Sequence, residues 1–233
     1  MGSCRRGTPD DNLAMHEPPR RDALALITLL AAAYAVPGCG RHRNAVGTPL
    51  PVGSTVLALG DSLTYGSGAA PEAAYPAQLA ALTGWRVVNG GVAGDTTAQA
   101  LERLPALLAE HKPALVIVSL GGNDFLRRAP PAETETHLRR IVALAREAGA
   151  QVLLVAVPRP TLAAAVGARL DDHPLYERLA TELALPLHAN GWAKVLGDER
   201  LKSDQIHANA TGYRAFADGL AATLRAARIA PAP

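Results

Sequence analysis

Short apolar runs along the chain alternate with longer segments whose apolar residues recur every three or four positions. The first run, Thr55 to Leu59, is Thr-Val-Leu-Ala-Leu and stops at Gly60. Because it lacks polar alternation, it predicts a strand covered on both faces, as in a parallel sheet flanked by helices. Trp85 to Val88 predicts a second strand ending in Asn89-Gly90-Gly91, Leu115 to Leu120 a third, Val152 to Val157 a fourth closed by Pro158, and Pro186 to His188 a short fifth. Ala73 to Leu82 reads as a helix. Thr96 to Leu104 sets Leu101 and Leu104 on one helical face, and Pro105 predicts an end or kink followed by another turn through Leu108. Pro131 suits a first helical position and Gly149 a stop, with Leu138, Ile141, Val142 and Ala145 at helical spacing between them. Ala210 to Ala227 predicts a final helix carrying Tyr213, Phe216, Leu220 and Leu224 on one side. Strands spaced by helices imply βαβ crossovers, a parallel sheet and a three-layer α/β/α sandwich.

The amino-terminal region breaks this pattern. Arg20 and Arg21 precede fourteen uncharged residues, Ala23 to Val36, followed by Pro37-Gly38-Cys39. The stretch is too short to span a bilayer and suits the apolar region of a secretory signal. Gly38 before Cys39 resembles a bacterial lipoprotein signal, which implies an exported, periplasmic protein with Cys39 lipidated and tethered to the membrane, although Pro37 departs from the small residue usual there. Met15 is an alternative start that would shorten the charged region before Arg20. Residues 1–39 are therefore read as extension and signal, residues 40–54 as a Gly-, Pro- and Arg-rich linker, and residues 55–228 as the folded domain.

Composition narrows the classes of function. A length of 233 residues at 48% apolar suits one sizeable core rather than two. With 23 basic against 21 acidic residues and no basic run interleaved with aromatics, nucleic acid is not the indicated partner. Cys4 and Cys39 both precede the domain, and the seven histidines include no His-x-x-x-His or His-Glu-x-x-His spacing, so neither a disulfide framework nor a zinc enzyme is expected. Gly66-Ser67-Gly68 after the first strand lacks the third glycine of a dinucleotide-binding loop, where Pro71 stands.

Candidate chemistry gathers at strand ends, where ligands of parallel sheets collect. Gly60-Asp61-Ser62-Leu63-Thr64 places a serine hydroxyl behind the first strand. Serine is a poor nucleophile at neutral pH without an adjacent base. His207 is the candidate base, and Asp204 is close enough in sequence to orient its imidazole. The oxyanion formed by attack needs preorganised donors, for which the candidates are the amides of Ser62 and Gly94 and the side chain of Asn123 in Gly121-Gly122-Asn123-Asp124. Each motif taken alone is also ordinary turn chemistry, and Asp95 equally suits a helix cap.

Four ordered blocks carry a resemblance. They are Leu59 to Gly66, Asn89 to Thr96, Leu120 to Asp124, and Ser203-Asp204-Gln205-Ile206-His207. The chain resembles the GDSL, or SGNH, hydrolase family, in particular its bacterial acyl thioesterase, lysophospholipase and arylesterase branch, from about Thr55 to Leu224. The resemblance implies a flavodoxin-like sheet of about five strands and no metal or cofactor. It further implies Ser62 as nucleophile, Asp204 and His207 as its partners, and Ser62, Gly94 and Asn123 around the oxyanion. The family usually has Pro after the histidine, where this chain has Ala208, so a less rigid loop is expected. Small acyl or aryl esters, thioesters or lysophospholipids are the implied substrates. The alternatives are a carbohydrate O-acetyl esterase acting on polysaccharide or peptidoglycan and a non-catalytic binding lipoprotein. A scarcity of aromatics, 4%, and the Ala/Leu/Val-rich stretch from Val157 to Leu170, where a substrate loop is expected, favour acyl or aryl substrates.

Overall fold

A computed structural model describes residues 46–159 and 170–231. The signal and lipidation expectations for residues 1–39, Cys39 included, and most of the expected substrate loop lie outside the described residues. Five strands, β1 (Thr55–Gly60), β2 (Arg86–Gly91), β3 (Leu115–Ser119), β4 (Gln151–Val155) and β5 (Leu187–His188), form one parallel sheet in the order β2-β1-β3-β4-β5. That is the flavodoxin-like order, and its direction reverses between β1 and β3, which leaves a crevice beyond their carboxyl ends. Gly60 pairs with Gly91 on one side and Ser119 on the other, so the three loops that follow leave the sheet at one level.

Both sheet faces are covered, as the unbroken apolar runs require. Leu57 and Leu59 of β1 face the core shared with α3 (Thr97–His111), α5 (Pro131–Glu147) and α6 (Leu175–Glu182). Val56 and Ala58, one position out of phase, face α2 (Tyr75–Thr83), α7 (Gly191–Leu196) and α8 (Ala210–Ala226). In the second core, Trp192 stacks on Phe216 with ring centres 3.6 Å apart and donates its indole N–H to Ser119 Oγ at 3.0 Å. Burial of these large side chains is the dominant stabilising term, about 1.5 to 3 kcal/mol for each.

Several local expectations are corrected. Pro105 does not break α3, which runs through to His111. Its ring lies on the exposed side, while Ala100, Leu104 and Leu108 are buried on either side of it. Their burial, with a capping box between Thr96 and Gln99, exceeds the roughly 3 kcal/mol that an internal proline costs. The helix expected from Ala73 is a 3₁₀ turn at Pro71–Ala73 and then α2, because Pro76 is accommodated only in a first helical turn. Residues 46–54, expected as linker, are fastened to the body where described. Gly47 donates to the Ala227 carbonyl at 2.8 Å, Leu50 to Ile229 at 2.9 Å, and the Gln151 amide bonds both backbone groups of Thr48.

Candidate active site

The loop after β1 turns at once into a single helical turn, α1 (Ser62–Tyr65). Asp61 caps it: its Oδ1 accepts the Leu63 amide at 3.0 Å, which places Ser62 at the first helical position at the end of the strand. Asp61 is buried, and desolvation pushes its carboxyl up to about 7 against the opposing pulls of the Leu63 amide and His207.

Ser62 Oγ lies 3.1 Å from His207 Nε2, and His207 Nδ1 lies 2.7 Å from Asp204 Oδ2. The network assigns the proton to Nδ1, where a carboxylate accepts it, and leaves Nε2 to accept from the serine hydroxyl. The other Asp204 oxygen accepts the amides of Ile206 and His207 at 2.8 and 2.9 Å. Partial burial alone would push the Asp204 carboxyl up, but the bonds from the His207 ring and from these two amides together hold it below the usual carboxylate range. What fixes this turn is not a proline. Ser203 donates to the His207 carbonyl at 3.0 Å, Ala208 is buried and bridges to Lys202, and Asn209 both caps α8 and donates to the carbonyls of Arg200 and Lys202.

Two further loops meet this row. Gly94, between β2 and α3, has φ +83°, a conformation that favours glycine, and a Cβ there would meet only Arg127 Nη2, at 3.8 Å. The space beside it is therefore left open by the protein. Asn123 stands in α4 (Gly122–Leu126), and its Nδ2 donates to the Asp95 carbonyl at 2.9 Å. Its remaining contact, to Asp61 Oδ2, is 3.5 Å, at the limit of a hydrogen bond. The backbone amides of Ser62 and Gly94 donate to no acceptor among the described residues. Gly121, at φ +117°, approaches the Tyr176 hydroxyl so closely that a Cβ would lie 2.2 Å from it, and that hydroxyl holds the Leu120 carbonyl at 2.6 Å. This seats α4 at the end of β3.

The five residues Ser62, Gly94, Asn123, Asp204 and His207 thus occupy one end of the sheet, while Cys39 is outside the described residues. Sequence reasoning missed the residues beneath them. The buried Asp124 accepts the Thr97 amide at 2.9 Å and its hydroxyl at 2.5 Å, joining α4 to the start of α3. Arg127 donates to the Gly94 carbonyl at 2.9 Å, so that α4 and its cap hold two consecutive carbonyls of the Gly94-Asp95 loop. Asp61 and Asp124 fell inside the quoted motifs but read there as turn residues, and Asp95 read as a helix cap, a place that Thr96 takes. Among the described residues no group of His, Cys, Asp or Glu is arranged to hold a metal ion.

A doubly wound sheet with an Asp-His-Ser row at its switch point defines a class of hydrolase rather than of nucleotide binder. Residues 58–215 match the GDSL-like lipase/acylhydrolase family, and the chain belongs to that family, an SGNH-type hydrolase. It is 39% identical over 178 residues to thioesterase 1/protease 1/lysophospholipase L1 of Escherichia coli K12, an alignment covering 73% of this chain and 83% of the relative. It is 37% identical over 132 residues to an arylesterase of Vibrio mimicus, covering 54% and 64%. Among solved structures, the crystal structure of TesA matches with a TM-score of 0.66 at 33% identity, covering 75% of this chain and 99% of that one.

Proposed function

We propose that the protein is a serine esterase that cleaves carboxylic ester or thioester bonds of acyl or aryl substrates through an acyl-enzyme. The observation that carries this reading is the unbroken row from Asp204 Oδ2 to His207 Nδ1 at 2.7 Å and from His207 Nε2 to Ser62 Oγ at 3.1 Å. In this reading Ser62 Oγ attacks the carbonyl carbon as Nε2 takes its proton. The oxyanion is met by the free amides of Ser62 and Gly94 and by Asn123 Nδ2. Collapse of the tetrahedral intermediate breaks the bond to the leaving group, which takes the proton from Nε2. Water then repeats the sequence on the acyl-enzyme and releases the acid.

Surface chemistry around the row supports an apolar acyl or aryl group over an acetylated sugar. Tyr65, Val92, Leu126 and Ile206 are 59%, 43%, 52% and 47% exposed, and each stands within three residues of a member of the site. Exposed apolar side chains so near the site residues in sequence favour an apolar ligand. Replacing Ser62 with Ala should abolish hydrolysis of a short p-nitrophenyl ester while leaving thermal unfolding unchanged; most of the activity surviving would overturn the assignment. We also propose, from the amino-terminal sequence, export to the periplasm and lipid attachment at Cys39, which mass spectrometry of the mature terminus tests.

A further inference from the structure

One side chain of α3 bonds the end of β1 and the loop that carries Gly94, and that loop in turn holds Asn123. Arg103 sits in the middle of α3, and its Nε donates to Asp95 Oδ2 at 2.7 Å. Its Nη2 donates to the Gly60 carbonyl at 3.0 Å. The same Gly60 carbonyl accepts the Val92 amide at 3.1 Å, and the main-chain carbonyl of Asp95 accepts Asn123 Nδ2 at 2.9 Å. One planar guanidinium therefore joins the end of the nucleophile strand, two residues before Ser62, to the residue that follows Gly94 and holds Asn123. The Asp95 side chain is only 8% exposed and that of Arg103 is 25% exposed, which sets the pair apart from the solvated surface pairs of this chain.

We propose that Arg103 is a positioning residue of the hydrolytic site, an assignment that rests on the serine-esterase reading above. Its rigid fork holds the Asp95 carboxylate and the Gly60 carbonyl at a fixed separation. That separation in turn sets the spacing of the Ser62 amide, the Gly94 amide and the Asn123 side chain around the oxyanion. A lysine carries the charge but not the fork, and reaches one partner at a time. An ion pair with a purely structural role would move stability and leave kcat and KM alone. A spacer of the donors instead acts on the rate, since a misplacement of about 1 Å can cost on the order of 10²-fold.

The test is a set of steady-state measurements on a short p-nitrophenyl ester with Arg103→Met, Arg103→Lys, Asn123→Ala, the Arg103→Met/Asn123→Ala double variant, and Ser62→Ala as control. Arg103→Met is expected to lower kcat by about 10- to 100-fold with KM within about twofold, and Arg103→Lys to recover little of that loss. In the Asn123→Ala background the further loss on Arg103→Met should be smaller, because the donor it holds is already gone. An unchanged kcat in both Arg103 variants while Ser62→Ala is inactive overturns the inference alone, as does a double variant whose loss is the full product of the single losses. Turnover surviving in Ser62→Ala overturns the esterase reading and the inference with it. Should Arg103→Met fail to fold, Arg103→Lys decides, since it keeps the charge and most of the stem.

Discussion

Ser62 and His207 are 145 positions apart in the chain, yet Oγ and Nε2 stand 3.1 Å apart. That distance already permits proton transfer without a conformational change. It is set on one side by the end of β1, which pairs with both neighbouring strands, and on the other by a turn pinned through Asn209, the cap of α8.

Asp204→Asn tests the tautomer. The Oδ1 atom of an asparagine can keep the amides of Ile206 and His207, which places its NH₂ group against Nδ1, where the imidazole now donates. The ring then carries its proton on Nε2 and cannot accept one from Ser62. A fall in kcat of roughly 10² to 10⁴ is expected, at an unchanged KM. Wild-type kcat would mean that another carboxylate orients the ring.

Asn123→Ala removes a side-chain donor and also releases the Asp95 carbonyl. The loss of a single donor predicts a decrease in kcat of about 10² to 10³. Steady-state rates on the same ester check it, and a kcat within twofold of wild type would remove Asn123 from the oxyanion site.

Tyr176→Phe tests how α4 is seated. The hydroxyl lost is buried and is bonded to the Leu120 carbonyl at 2.6 Å. Leaving that carbonyl unmet should lower stability by about 1 to 3 kcal/mol. Urea unfolding measures the change, and a stability equal to wild type would show that the carbonyl finds another donor.

Much of this arrangement was legible in the sequence. Continuous apolar runs announced β1, β3 and β4 because a strand buried on both faces has no polar alternation to obscure it. Ser62, Gly94, Asn123, Asp204 and His207 could be named because each lies in a short ordered motif, the first three after strand ends and the last two before the final helix. The helices α1 and α4 were not seen, since four or five residues give no periodicity and exist only by capping and tertiary contact. In α6, Leu175, Tyr176 and Leu179 are spaced for a helix, but two turns offer too few repeats to distinguish it from a loop. Arg103 gave no signal: it reaches Asp95, eight residues away, and a carbonyl 43 residues away, and only the packing of α3 on the sheet brings the latter within range.

The buried Asp61 carries a consequence for pH. Its carboxyl is raised to about 7 in the folded protein, chiefly by desolvation, against the usual 3.8 when unfolded. The folded state therefore binds the proton more tightly, so this group's contribution to stability is fully present below about pH 4 and is lost as pH rises toward 7. Asp61→Asn keeps an oxygen to cap α1 through the Leu63 amide but cannot titrate. The melting temperature of the variant should therefore gain on that of wild type between pH 4 and pH 7 and run parallel to it above pH 8. Parallel curves across the whole range would show that Asp61 stays ionised throughout, held by the Leu63 amide and the nearby His207 rather than governed by its burial.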